Sequence, residues 1–299
     1  MQSLVSINDL DLDQILKILE LSKQYKHGLT KDCLKGKVIA SCFFEASTRT
    51  RLSFESAVAR LGGGTIGFAD SNSTSLTNKG ESLQDTIKIV SGYADCLIIR
   101  HPQDGAARLA SEICNIPVIN AGDGANQHPT QTLLDLFSIQ DSQGKLEGVN
   151  LAFMGDLKYS RTVHSLVKVA QLFKMNLFFI APKELRIDSE YLFGLKRCAT
   201  TYSFHNNLGE VMDKIDCLYV TRLQKERFIN SEDINLDQFR VLPSCLAKAK
   251  ANLKILSPLP RLEELPVEID DSPHAYYFTQ AKNGLYVRMA LLDILLGAR

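Results

Sequence analysis

The chain has no excess of either charge: its 299 residues carry 34 Lys and Arg against 34 Asp and Glu. No global field draws in nucleic acid or an anionic membrane, so any anion site must be local. No run of about eighteen apolar residues occurs, the length a bilayer-spanning helix needs. Met1-Gln2-Ser3-Leu4 shows neither the basic nor the apolar region of a secretory signal. The expectation is a soluble, cytoplasmic protein. The seven cysteines (Cys33, Cys42, Cys96, Cys114, Cys198, Cys217, Cys245) form no CxxC pair and no zinc-type spacing. Several lie in apolar runs, so buried, reduced thiols are expected, and neither metal nor cofactor is called for. The phosphate-loop pattern GxxxxGK[ST] is also missing, which argues against a P-loop nucleotide-binding protein. No repeat, low-complexity tract or linker breaks the chain.

What is present is an alternation of strand-like and helix-like segments, which predicts α/β architecture with largely parallel sheets. Strands are expected near Val38 to Phe44, Thr65 to Phe68, Cys96 to Arg100 and Pro117 to Asn120, then Asn150 to Met154, Asn176 to Ile180, Cys217 to Val220 and Lys254 to Leu256. Helices are expected over Glu81 to Ser91, Ala106 to Ile113, Pro129 to Gln140, Arg161 to Phe173 and Leu285 to Leu296. Two lobes joined near residues 130 to 145 follow from this pattern.

The most informative stretch is Ser47-Thr48-Arg49-Thr50-Arg51, which puts three hydroxyls and two guanidinium groups where a strand hands over to a helix. Phe54, Ala57, Val58 and Leu61 fall at helical spacing and Gly62-Gly63-Gly64 is a stop signal, so Ser47 is expected at the N-cap. The unpaired N–H groups of a first turn attract anions, and arginine can grip phosphate with two donors. A capped helix with solvated arginines is the alternative, but arginine in a first turn opposes the helix dipole unless an anion compensates it.

Ligands of open α/β sheets bind beyond the carboxyl ends of the strands. Arg100 and His101 end one strand, and His128 follows a Gly-rich turn after another. In the second lobe Asp156 and Arg161 follow a strand, Thr221 and Arg222 end the next, and Ser257-Pro258-Leu259-Pro260-Arg261 follows the last.

Phe43 to Arg51, Arg100-His101-Pro102, His128-Pro129-Thr130-Gln131-Thr132 and Leu259-Pro260-Arg261 together resemble the carbamoyltransferase family, in order and spacing, across nearly the whole chain. Gly155 to Ser165 and Thr221 to Arg227 resemble its aspartate branch. The ornithine branch's Ser-Met-Gly and His-Cys-Leu-Pro do not occur. The resemblance implies two doubly wound parallel-sheet domains with the active site in the cleft between them. Residues 1-129 would bind carbamoyl phosphate and 130-284 aspartate, with a C-terminal helix, 285-299, returning to the first domain. It implies carbamoyl transfer from carbamoyl phosphate to the aspartate amine, a step of pyrimidine biosynthesis.

By the same resemblance Ser47, Thr48, Arg49 and Thr50 hold the phosphate and Arg100 is shared between phosphate and carbamoyl oxygen. Thr50, Arg100 and His128 polarise that oxygen, and Gln131 with the main-chain carbonyls of Leu259 and Pro260 orients the carbamoyl NH2. Arg161 takes the aspartate α-carboxylate, and Arg222 with Gln224 its side-chain carboxylate. Ser75 and Lys79 are implied to reach a neighbouring subunit's site, making the active unit a homotrimer. Glu45 is implied to pair with Arg161 and Arg227. His101 to Ala110 resembles enzymes that dock zinc-bearing regulatory chains, which leaves a trimer or a larger dodecamer open. The family's usual His before Pro-Leu-Pro-Arg is Ser257 here. Each residue also has a plain reading, His128 as a cap and Arg100, Arg161 and Arg222 as surface or ion-paired arginines. Ornithine carbamoyl transfer and a catalytically inactive scaffold are the functional alternatives.

Overall fold

The computed structural model describes residues 2–74, 78–124, 126–198, 200–222 and 236–297. The chain divides into two compact units, Met1–Phe137 with Ala281–Arg299, and Ser138–Gln280.

The first unit opens with helix α1 (Leu12–Lys26), capped reciprocally by Asp11 and Gln14. Strand β1 (Val38–Phe43) follows, then helix α2 (Thr48–Arg60) and strand β2 (Gly64–Phe68). Helix α3 (Leu83–Ser91), strand β3 (Cys96–His101), helix α4 (Ala106–Ile113) and strand β4 (Val118–Asp123) complete the series before helix α5 (Pro129–Gln143). The strands form one parallel sheet in the order β2-β1-β3-β4. The near-continuous apolar runs of β1, β3 and β4 are buried along almost their whole length, while β2, on the edge, is exposed. This is the pattern of a sheet covered on both faces. One core cluster joins Ala40, Cys42, Phe44, Leu97, Ile99 and Val118 to Ile87 of α3 and Ala107 and Ala110 of α4.

The second unit repeats the plan with strands β5 (Asn150–Met154), β6 (Asn176–Ile180), β7 (Tyr202–His205), β8 (Cys217–Val220) and β9 (Lys254–Leu256), in the parallel order β7-β6-β5-β8-β9. Helix α6 (Arg161–Ala170) leads into a short 3-10 turn, Gln171–Phe173, where the sequence predicts one continuous helix. Helix α7 (Ser189–Arg197) precedes β7. The last helix, α8 (Tyr277–Leu296), begins eight residues earlier than the pattern from Leu285 suggests.

Each sheet reverses its direction of growth once. From β1 the chain goes to β2 on one side and then to β3 on the other. From β5 it goes to β6 and β7 on one side and to β8 on the other. The β1/β3 and β5/β8 boundaries are therefore the crevices in which doubly wound sheets hold ligands. Of the cysteines, Cys42, Cys96 and Cys217 are buried, each thiol pushed up to about 12 by burial, and Cys198 is exposed.

Candidate active site

The Ser47 turn sits at the first of these crevices. Cys42 pairs with Ile99 and Phe43 with Arg100 in the parallel register, and Phe44 N–H donates to Arg100 O at 2.8 Å. The chain leaving β1 is thus fixed beside the end of β3. Ser47 is the N-cap of α2, extended at φ −154° and ψ 96°, yet its hydroxyl makes no cap bond and the first turn holds no acid. In α1 and α3 the caps Asp11 and Ser82 each accept a backbone N–H, and Asp13 and Asp85 lie in the first turns. A missing cap bond ordinarily costs about 1 kcal/mol. The α2 start forgoes it and adds Arg49, the arrangement an incoming anion would complete.

Partial burial and the Arg100 charge draw the Arg49 pKa below its ordinary value. Arg100 is largely buried; its Nη1 donates to Ala121 O at 3.3 Å and its Nη2 lies 2.9 Å from Glu45 Oε2. Glu45 therefore has Arg100 as an ion-pair partner within its own unit; Arg227 lies outside the described residues. Thr50 is buried, while Thr48 and Arg49 are exposed. Arg51 turns back to Glu55, Nε to Oε1 at 2.8 Å, a structural i,i+4 pair.

His101 and His128 are held by the Gly-rich turn that follows β4, and Asp123 organises that turn. Its buried carboxylate accepts from Asn120 Nδ2 (2.9 Å), Gln127 N (3.2 Å), Gly105 N (2.9 Å) and Asn126 Nδ2 (3.1 Å). His101 Nδ1 accepts from Gln103 N at 3.0 Å, its ring lies against Phe44, and burial draws its pKa down. His128 is buried, and its carbonyl accepts from Gln131 N at 3.0 Å as α5 begins. Gln131, also buried, donates from Nε2 to Asp135 Oδ1 at 2.8 Å.

The second unit carries the matching turn. Gly155, at φ +117°, follows β5 where a Cβ would stand 2.2 Å from Thr221 O, so only glycine lets the ends of β5 and β8 approach. Thr221 seals the approach, its Oγ1 donating to Met154 O and Asp156 O at 3.2 Å each. Arg161 then opens α6, whose cap Ser160 again makes no side-chain cap bond and whose first turn has no acid. His164, one turn along, donates from Nε2 to Leu157 O at 3.0 Å and stacks on Tyr191 at 4.0 Å, which pins the turn; burial lowers its pKa. Arg222 is half-buried directly after Thr221. Ser75 and Gln224 lie outside the described residues; Lys79 is exposed.

The loop after β9 is fixed by side chains that sequence reasoning passes over. Ser257 N–H donates to Gln280 Oε1 at 2.7 Å, and its hydroxyl accepts from Leu259 N at 3.3 Å. Leu259 has φ +54° and its bond to Pro260 is cis. Arg261 Nη2 reaches Asp270 Oδ2 at 2.6 Å and Nη1 reaches Tyr277 OH at 2.9 Å. The ion pair holds the Asp270 carboxyl below its ordinary pKa. Asp123, Asp135, Asp270 and Tyr277 carry no motif of their own, and only spacing to a site residue, as in Gln131 and Asp135 four apart on a helix, signals them. Among the described residues, no group of His, Cys, Asp and Glu is placed to hold a metal ion, and no helix is long and apolar enough to cross a membrane.

Two parallel-sheet units, each with an arginine in the first turn of the helix that starts at its switch point, define a two-unit α/β protein with a candidate anion site in each unit. Residues 2–141 match the carbamoyl-phosphate-binding domain of aspartate/ornithine carbamoyltransferases, and residues 147–295 match their aspartate/ornithine-binding domain. The chain belongs to this family. It is 55% identical over 299 residues to the aspartate carbamoyltransferase catalytic subunit of Wigglesworthia glossinidia brevipalpis, covering 99% of this chain and 97% of that one. It also resembles the catalytic subunit of M. jannaschii aspartate transcarbamoylase (TM-score 0.92, 44% identity, 99% and 98% covered). The Trypanosoma cruzi aspartate transcarbamoylase solved with carbamoyl aspartate and phosphate is similar as well (TM-score 0.89, 35% identity, 99% and 96% covered).

Proposed function

We propose that this chain transfers the carbamoyl group of carbamoyl phosphate to the α-amine of L-aspartate, giving N-carbamoyl-L-aspartate and phosphate, in cytoplasmic pyrimidine biosynthesis. The observation that carries the reading is the pair of uncapped, arginine-led helix starts, one at each switch point. Ser47, Thr48, Arg49 and Thr50 bind the phosphate of the donor. Attack of the amine on the carbamoyl carbon forms a tetrahedral oxyanion, which Thr50, Arg100 and His128 stabilise as it develops. Gln131 and the carbonyls of Leu259 and Pro260 accept from the carbamoyl NH2. The C–O bond to phosphate then breaks, and the departing phosphate takes the proton of the attacking amine. Arg161 and Arg222, with Gln224, match the two carboxylates of aspartate, so positioning supplies much of the rate. A cationic acceptor such as ornithine would meet these arginines as like charges.

The test is carbamoyl-phosphate-dependent turnover with aspartate and ornithine assayed side by side. Product from aspartate only is expected; product from ornithine only, or from neither with the fold intact, overturns the reading. The resemblance further supports a homotrimer in which Ser75 and Lys79 complete a neighbour's site. Lys79→Ala and Arg49→Ala chains, each nearly inactive, should then recover about a quarter of the parental activity when mixed and reassembled in equal amounts, as random pairing around a ring requires. Absence of recovery argues for self-contained sites. A shift in particle size on adding a regulatory chain would test docking at His101 to Ala110 and separate a trimer from a dodecamer.

A further inference from the structure

The loop after β9 holds one residue in a conformation that its side chain disfavours. Leu259 has φ +54°, a left-handed setting in which a Cβ crowds the following carbonyl. An outlier of this kind persists only where its surroundings hold it. Pro258 and Pro260, on either side, have ring-locked φ angles and no N–H. Leu259 therefore supplies the only free φ, and the only backbone donor, between Ser257 and Arg261.

Both ends of this stretch are tied down. At its start Ser257 is buried, and its N–H donates to Oε1 of the buried Gln280 at 2.7 Å. At its end the Arg261 guanidinium reaches Asp270 Oδ2 at 2.6 Å and Tyr277 OH at 2.9 Å. Between them Leu259 N–H donates to Ser257 Oγ at 3.3 Å. The same local bond occurs elsewhere in this chain, again across a proline. His274 N donates to Ser272 Oγ at 3.3 Å over Pro273, and Gln103 N donates to His101 Nδ1 at 3.0 Å over Pro102. Two residues ahead of an N–H, a hydroxyl and an imidazole thus serve as equivalent acceptors in this protein. Ser257 keeps the acceptor that the family's usual histidine offers at this place. What sets it apart from Ser272 and His101 is that the residue it holds is left-handed.

We propose that Ser257 is a positioning residue for donor selectivity: its hydroxyl holds Leu259 in the left-handed turn, and that turn fixes the Leu259 and Pro260 carbonyls as acceptors for the donor's NH2. The inference rests on the function proposed above. Carbonyl oxygens reward a donor that carries N–H and offer nothing to one that carries a methyl in the same place. Acetyl phosphate differs from carbamoyl phosphate in just that way. Without the Ser257 hydroxyl, Leu259 N–H loses its partner and the residue can relax to negative φ, which re-aims the carbonyls. On the same reading the phosphate is held by Ser47, Thr48, Arg49 and Thr50, which the change does not touch.

Two measurements on the full-length protein test this. The first is amide exchange, read by mass across Ser257 to Arg261, where the two prolines leave three N–H groups to assign. Leu259 N–H should exchange about 5-fold faster in Ser257→Ala than in the parent, the worth of one neutral hydrogen bond, with the N–H at position 257 unchanged. An unchanged Leu259 rate overturns the proposal whether or not the protein transfers carbamoyl groups. The second is calorimetric affinity for carbamoyl phosphate and for acetyl phosphate, measured without aspartate so that no turnover is needed. Carbamoyl phosphate should bind about 5-fold more weakly to Ser257→Ala, and acetyl phosphate as it binds the parent. Ser257→Thr, which keeps the hydroxyl, should preserve the parental preference, and Ser257→Val, the same shape without it, should lose it as the alanine variant does. Equal losses for the two donors would make Ser257 structural only, and a parent that binds both donors alike would remove the selectivity itself; either outcome overturns the proposal. Should Ser257→Ala fail to fold, the threonine and valine variants carry the comparison. Failure of the function shows separately, as a parental protein that prefers carbamoyl phosphate and responds to these substitutions yet forms no carbamoyl aspartate.

Discussion

Arg49→Ala is expected to lower kcat for carbamoyl transfer about 10³-fold, at the upper end of what removing one preorganised donor to a developing oxyanion costs. Arg49 stands in the first turn of α2, beside N–H groups that no cap satisfies, and close enough to Arg100 for the two charges to disfavour each other in the ligand-free protein. On the function proposed, an arriving phosphate would remove that repulsion and gain both guanidinium groups, and the gain would grow as charge builds on the leaving oxygen. Because the interaction strengthens along the reaction, the loss should appear in kcat and kcat/KM together. Arg49→Lys should recover only part of it, since an ammonium cannot reproduce the planar fork. Steady-state kinetics with carbamoyl phosphate varied at saturating aspartate decide it: a change confined to KM would assign Arg49 to ground-state binding alone.

Asp123→Ala is expected to destabilise the protein by roughly 3–5 kcal/mol, the scale of leaving several buried donors without their charged acceptor. Four hydrogen bonds converge on that carboxylate, two from backbone N–H groups of Gly105 and Gln127 and two from the amides of Asn120 and Asn126. Alanine offers none of them an acceptor, and the site is too enclosed for bulk water to substitute freely. Asp123→Asn keeps the shape but can accept only from part of the set, so an intermediate loss should follow. Urea unfolding, read as a lower midpoint at constant slope, measures it. The same turn carries the chain into His128, so activity should fall by more than the unfolded fraction explains. A full loss of stability with normal specific activity would show that His128 is placed by α5 instead.

Much of the architecture is legible in the sequence because its strands are doubly covered and therefore read as unbroken apolar runs. Asn150–Met154, Asn176–Ile180, Cys217–Val220 and Lys254–Leu256 fall where those runs place them. Strand β7 is short, half-exposed and on the sheet edge, so Tyr-Ser-Phe-His carries little pattern to find. Helix α1 is absent from the expectations although its signal is complete, an Asp11 cap and a buried stripe of Ile15, Ile18, Leu19 and Tyr25. The helix expected from Leu285 misses the first two turns of α8, which contain Gly284; a Cβ there would stand 2.3 Å from Arg288 Nη1, a long-range packing reason that the local pattern does not show.

The site follows the same division. Ser47, Arg49, Arg100, His128 and Arg161 are readable because strand ends concentrate chemistry. The residues that hold them are harder to read: Asp123 acts through contacts that no local spacing announces, and Asp135 is signalled only by its place four residues after Gln131. Asp123 joins Gly105 to Gln127.

The two switch points belong to two separate sheets, and this separates two evolutionary problems. On the function proposed, the β1/β3 crevice serves the leaving group, which every carbamoyl donor of this kind shares, so drift there would be costly. On the same reading the β5/β8 crevice serves the acceptor. Exchanging its two arginine-bearing turns for ones suited to another amine would redirect the product while leaving the leaving-group chemistry untouched. A fold built this way can diversify its nucleophile one loop at a time, which is what a family with two acceptor branches requires.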